Sequence, residues 1–188
     1  VAVGDISNKA DTAKVKSKSA IRYYTFVEMF DFMQDSMTEP MIKQYSEVYA
    51  RHSGKNGNRK SYVPHAPYTV SDGLYKFIKE NNKLNSTVSI HNQETKHEDD
   101  LFNTKSGDFL EFYEGFGFSL SDFNLTGKNS IYHAMSQMDP NQRTLFVHNT
   151  RTTADDVVAA QKWSEKVYWA TCANANLYIE NALPNYQV

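Results

Sequence analysis

The sequence has almost no cysteine, no surplus of either charge and no long apolar run. Cys172 is the single cysteine among 188 residues. No internal disulfide can form, and a reducing compartment, the cytoplasm, is the expectation. The same count excludes the nucleobase-deaminase site that needs a P-C-x-x-C. Twenty basic residues stand against 22 acidic ones, for a formal net charge of −2. That balance gives no electrostatic case for a nucleic acid or an anionic membrane as partner. No apolar run is long enough to span a bilayer and no signal peptide is evident, so no membrane association is expected. No G-x-G-x-x-G, Walker or G-x-S-x-G motif occurs, which leaves nucleotide-phosphate binding and a serine-hydrolase elbow without support.

What is present is an alternation of short apolar runs and amphipathic segments. Strands are expected at "VAVGDI" (1–6), "IRYYTFVEM" (21–29), "KSYVPHA" (60–66), "STVSIHNQ" (86–93), "TLFVHN" (144–149) and "VYWATCA" (167–173). Helices are expected over 39–52, 71–81, 107–117, 129–138 and 152–165. Ser71 serves as an N-cap for the second, and Thr152 or Thr153 for the last, with Asp155 and Asp156 in its first turn. Strands spaced by helices argue for βαβ units and a parallel sheet. No low-complexity tract divides the chain, so residues 1–188 are read as a single α/β domain. The polar loop "RHSGKNGNRK" (51–60) reads as solvated, and His52, His97 and His133 read as surface residues. Tyrosine and phenylalanine are plentiful, and core packing is their simplest use.

Three strands end on a histidine. "VPHAPYTVS" (63–71) sets His65 between Pro64 and Pro67, which cannot donate to a sheet ladder and so end the strand there. In "TVSIH", Ser89 and His91 share one face while Val88 and Ile90 share the other. In "TLFVH", alternation groups Thr144 and Phe146 with His148, opposite Leu145 and Val147. Each imidazole would stand at the carboxyl end of a parallel strand, where α/β proteins keep their chemistry. Any one of these histidines alone reads as a structural residue; three in succession at one end favour function. Glu94 follows His91 by three residues, and a turn at "NQET" would bring both into one cavity. A metal-binding imidazole beside a proton-shuttling carboxylate suits metal-assisted hydrolysis, with a second imidazole to orient the water. Cys172 reads as a small buried hydrophobe rather than a nucleophile.

The blocks "PHAPYTVS", "SIHNQET", "FVHN" and "TCANANLYIE", in this order, resemble the middle of the metal-dependent amidohydrolases. The branch is that of the chlorohydrolases and the S-adenosylhomocysteine or guanine deaminases. The resemblance runs from "VAVGDIS" to "LPNY". It implies a partial TIM (β/α)8 barrel, about strands 2–7 of the parent. It implies His91 as a metal ligand and Glu94 as the proton-shuttling acid. It also implies His148 beside the catalytic water, and His65, Asn174 and Asn176 at the substrate. The implied cofactor is a divalent metal, zinc first among them, and the implied substrate a small molecule. The implied reaction of the full-length protein is hydrolysis at a carbon–nitrogen bond, namely deamination of an N-heterocycle.

Two departures matter. Asn149 stands after His148, where the family has a small residue or cysteine. The family's first-strand H-x-H is absent, and so is its eighth-strand aspartate. With His91 the single ligand identified, the chain alone is expected neither to hold metal tightly nor to turn over substrate. The alternatives are a non-catalytic remnant that binds a ligand or partner, and an unrelated α/β enzyme using the same histidines. A barrel lacking two strands leaves apolar edges open. The chain is therefore expected to be internal to a longer protein, or to pair with a second copy or with the missing segments.

Overall fold

A computed structural model describes the chain except for Asp122, Leu125, Tyr186 and Val188. Tyr186, at the end of the family-like stretch, thus lies outside the described residues. Six strands run parallel: β1 (Ala2–Ser7), β2 (Arg22–Met29), β3 (Arg59–Pro64), β4 (Thr87–Asn92), β5 (Arg143–His148) and β6 (Val167–Ala170). All six lie where apolar, β-branched and aromatic residues concentrate. β1, β2 and β3 form one ladder and β4, β5 and β6 a second. The two meet where the His91 N–H donates to the His65 carbonyl at 2.9 Å. Nearby, the Ser61 hydroxyl donates to the Thr87 carbonyl at 2.7 Å. Sequential parallel strands with helical crossovers make this a partial (β/α)8 barrel.

The helices are α1 (Ala13–Lys18), α2 (Asp35–Arg51), α3 (Asp72–Asn81), α4 (Lys96–Thr104), α5 (Asp108–Gly115), α6 (Ser130–Gln137), α7 (Ala154–Trp163) and α8 (Ala173–Glu180). Ser71 caps α3, accepting from Leu74 N at 3.2 Å. Thr153 and Asp156 close a capping box on α7. α2 begins four residues before the expected start. Asp35 suits its first turn, and Thr38 is anchored by a 2.8 Å hydrogen bond to Asp31. α1, α4 and α8 are additional to the expected helices. β6 ends at Ala170, so Cys172 is the half-buried residue preceding α8 rather than a strand residue.

Two surface expectations fail. His52 is buried, with Nε2 3.1 Å from the Lys9 carbonyl, and burial lowers its pKa. His133 packs against the Tyr75 and Phe102 rings. The loop 51–60 is not wholly solvated either. Lys60 Nζ donates to the carbonyls of Tyr49 and His52 at the end of α2, at 2.5 and 2.6 Å.

The main core lies between sheet and helices. Val27, Met29, Tyr62, Val88, Ile90 and Phe146 pack there against Tyr45, Leu74, Ile131 and Ala160. A second cluster, with Leu101, Phe102, Tyr113 and Leu120 at its centre, is built from α4, α5 and the following loop. Its Phe109 packs against Tyr68 at 4.4 Å between ring centres, and Tyr68 faces His65 at 6.2 Å. The aromatic residues therefore pack, as expected, but part of that packing covers the strand ends. Among the described residues no helix is long and apolar enough to cross a membrane.

Candidate active site

His65, His91 and His148 form a row across the carboxyl ends of β3, β4 and β5. The His65 and His91 ring centres are 4.9 Å apart, and those of His91 and His148 are 5.1 Å apart. The residues expected to converge do so, although His148 arrives by another route than regular alternation. In the ladder, Ile90 pairs with Phe146, His91 with Val147 and Asn92 with His148. Paired residues in a parallel ladder share a face, so His91 shares a face with Val147, and Phe146 belongs to the helix side. A regular strand would send His148 to that side too. Instead His148 takes φ 76° and Asn149 φ 57°. This left-handed pair ends the strand and returns the imidazole to the row.

That geometry gives a reason for Asn149. Asparagine tolerates left-handed backbone better than most residues. Its amide also donates to the carbonyls of Phe146 and Ala170, both at 3.0 Å, and accepts from Asn92 at 3.1 Å. It bridges three strands at the point of strain.

Glu94 reaches the row through the expected turn. Gln93 has φ 46°, and Glu94 Oε1 lies 3.2 Å from His148 Nδ1. The turn is held by Glu98, a fully buried residue that sequence reasoning missed. Its two carboxylate oxygens accept from the backbone N–H of Gln93 and of Glu94, each at 3.0 Å, and Oε1 also accepts from Ser130 Oγ. Burial pushes the Glu98 pKa up to about 7. The signal was present as Thr95-x-x-Glu98, a capping-box spacing. Thr95 does cap α4, accepting from Glu98 N at 3.3 Å, but the Glu98 side chain serves the preceding turn.

Asn176 and Asn174 were expected at the substrate. Asn176 is fully buried and committed to His148. Its Oδ1 is 2.9 Å from His148 Nδ1, and its Nδ2 donates to the His148 carbonyl at 3.0 Å. His148 Nδ1 thus faces two acceptors, which places the proton there and leaves Nε2 as the basic nitrogen. Asn174 stands exposed near the start of α8.

A second missed residue is Glu28, the one acid in β2. Its neighbours Val27 and Met29 point to the helices, and Glu28 pairs with Val63 on the inner face. Glu28 Oε1 lies 3.7 Å from His91 Nε2. One donor atom each from Glu28, His65 and His91 fall within 4.8 Å of one another. A lone carboxylate at the carboxyl end of an apolar strand was the signal. His65 Nδ1 is held at 2.8 Å by Thr69 Oγ1, which leaves Nε2 as the nitrogen available for coordination. Burial lowers the His65 pKa to about 4 and the His91 pKa to about 3, with neighbouring imidazoles adding to the effect. Burial raises Glu28 to about 7. Glu94 is also raised by burial, with His148 opposing. Neutral imidazoles with exposed lone pairs are the form that ligates metals.

No family model matches the chain. Over 91 residues it is 32% identical to the 5'-deoxyadenosine deaminase of Methanobrevibacter smithii; this stretch is 47% of the chain and 21% of that protein. It superposes on the crystal structure of Helicobacter pylori aminofutalosine deaminase with a TM-score of 0.81, at 19% identity, over 99% of the chain and 46% of the deaminase. The same enzyme in complex with methylthio-coformycin gives 0.78, at 20% identity, over 99% and 45%. The chain spans less than half the length of these solved deaminases.

Proposed function

We propose, for a chain that resembles the deaminases of the metal-dependent amidohydrolase superfamily and carries the central strands of their barrel, that it is the middle of a hydrolase acting on carbon–nitrogen bonds. The reaction is hydrolytic deamination of an N-heterocycle, with an adenine-type nucleoside as the substrate class. The observation that carries this reading is the 3.2 Å approach of Glu94 to His148 at the end of the histidine row. The names of the similar proteins, all deaminases, support the class of reaction.

The residues divide the work as follows. His91 would help hold a divalent metal, zinc being the first candidate, and the group would make hydroxide available at neutral pH by lowering the pKa of bound water to about 7. His148, its Nδ1 turned to Asn176 and Glu94, orients the attacking water through Nε2. Glu94, whose pKa burial raises, holds a proton at neutral pH more readily than an exposed glutamate and delivers it to the ring nitrogen. The Glu94 carboxylate then takes the proton of the added hydroxyl and passes it to the amino group, so that ammonia leaves the tetrahedral carbon as the carbonyl forms. His65 faces the heterocycle, with the Phe30 ring 5.7 Å and the Tyr68 ring 6.2 Å away as apolar walls. The chain alone, in which no H-x-H occurs, is taken to be inactive. Its edges carry exposed apolar residues, Val3 and Ile6 on β1 and Tyr168 on β6. These support pairing with the rest of a barrel or with a second copy.

The test is ammonia release from 5'-deoxyadenosine and related adenine nucleosides by the full-length protein. Glu94→Gln is expected to reduce the rate by about 10²–10⁴-fold. Failure to release ammonia from any of them, or a Glu94→Gln protein as fast as wild type, would refute the reading.

A further inference from the structure

We propose that Glu28, His65 and His91 form a three-donor site for a divalent transition metal within this chain, without the missing first-strand pair. The inference goes beyond the deaminase reading, which takes His91 alone as a ligand and faces His65 to substrate. It stands on donor geometry.

The three residues come from the ends of adjacent strands β2 and β3 and from β4, which joins β3 through the His91 N–H. Their donor atoms lie within 4.8 Å of one another. Ligands about 2.0–2.1 Å from a tetrahedral metal stand about 3.3 Å apart, so closure needs side-chain movements of about 1 Å. His65 is already oriented, because Thr69 Oγ1 holds its Nδ1 at 2.8 Å and leaves Nε2 to coordinate. Such a partner on the far nitrogen is the usual support for a ligating histidine.

The alternative is a structural ion pair, and the distances argue against it. At 3.7 Å, Glu28 and His91 are too far apart for a hydrogen bond. A buried carboxylate beside imidazoles, with no Lys or Arg paired to it among the described residues, is a costly arrangement unless something supplies positive charge. The donor set also selects the ion. Two imidazoles and one carboxylate suit zinc, cobalt or nickel, whereas calcium and magnesium need oxygen ligands throughout. Three protein donors leave a fourth position for solvent or substrate.

The experiment is titration of the metal-free 188-residue chain with Co(II), read by its visible ligand-field absorption and by metal content after gel filtration. One equivalent is expected to bind, with Zn(II) displacing it. Glu28→Gln and His65→Asn should each weaken binding by at least about 100-fold, while His97→Gln should leave it unchanged. If either ligand variant fails to fold by circular dichroism, paramagnetic broadening in the wild-type chain decides instead. The His65 and His91 ring signals should vanish on Co(II) addition, and those of His52 and His97 should persist. No saturable uptake, or uptake indifferent to Glu28→Gln and His65→Asn, or broadening that spares His65, overturns the site. Metal uptake of the expected kind with no deamination by the full-length protein would refute the deaminase reading alone. Deamination with uptake indifferent to these two variants would refute only the site.

Discussion

On one flank of the histidine row, Glu94 and His148 sit inside a closed hydrogen-bond network. On the other, Glu28 comes no nearer than 3.7 Å to His91. The first flank is locked. Glu98 holds the Gln93–Glu94 turn, and Asn176 holds His148 at both its ring and its carbonyl. Buried Gln93 ties the turn to Asp156 at 2.9 Å and to Thr152 at 2.7 Å. The second flank is an apolar-walled group of donors with, among the described residues, one polar anchor, Thr69. The difference fits the roles proposed for the two flanks. Proton transfer tolerates little positional error, so its groups are fixed in advance. A metal supplies its own geometry, so its ligands need only be close and partly oriented.

The comparison breaks most visibly at Glu98. Glu98→Ala leaves two buried backbone N–H groups and the Ser130 hydroxyl without their acceptor. A loss of about 3–5 kcal/mol in unfolding free energy is expected at neutral pH, measured by urea denaturation. A loss below about 1 kcal/mol would show that the turn does not depend on this residue. The pH dependence has a definite sign. Burial raises Glu98 from its ordinary 4.5 to about 7. Between those values the folded chain keeps a proton that the unfolded chain has lost. The Glu98 contribution is therefore fully present below about pH 4.5 and declines as pH rises to about 7, by up to about 3 kcal/mol. Glu98→Gln, which cannot titrate, should flatten that decline in a urea series across the interval.

Much of this arrangement was legible in the sequence, and the rest was hidden for specific reasons. All six strands could be read, because β-branched and aromatic residues mark them and Pro64 ends β3. Ser71 and Thr153 announced their helices by cap chemistry. His65, His91, Glu94 and His148 could be brought to one end of the sheet by counting. Counting misassigned the faces of β5, however, since the left-handed turn at His148 and Asn149 follows no periodicity. Glu28 escaped because an acid two residues before Phe30 reads as a strand terminus. Its meeting with His91 requires the β2–β3 register and the β3–β4 junction. Asn176 was placed near the site by resemblance, but its bond to His148 depends on how α8 docks under β5. His52 and Lys60 were taken for solvated residues because their partners are backbone carbonyls, which have no sequence signature.

A smaller effect separates position from stability on the locked flank. Asn176→Ala removes the 2.9 Å contact to His148 Nδ1 and the 3.0 Å bond to its carbonyl. The left-handed φ at His148 then loses its main restraint. A cost of about 2 kcal/mol is expected by urea denaturation. The His148 ring resonances should also broaden or shift in a histidine-selective NMR spectrum, while those of His65 stay in place. Unchanged His148 signals would mean that the backbone turn alone fixes the ring, and the network would be less closed than the distances imply.

The smallest change tests the single anchor of the open flank. Thr69→Val keeps the volume of the side chain but removes the hydroxyl that lies 2.8 Å from His65 Nδ1 and donates to the Ala66 carbonyl at 3.2 Å. Both bonds are lost, but the Ala66 carbonyl still accepts from the Thr69 N–H at 3.1 Å, so stability should fall by about 1 kcal/mol, less than for either change on the locked flank. The informative result is elsewhere. With Nδ1 unheld, the His65 ring can rotate and no longer presents Nε2 steadily toward Glu28 and His91. Co(II) should then bind about 10-fold more weakly than to wild type, without the near-complete loss expected when a ligand itself is removed. A Thr69→Val chain that binds cobalt as tightly as wild type would mean that packing against Phe30 and Tyr68 orients His65 by itself. The two flanks would then differ in hydrogen bonding but not in rigidity.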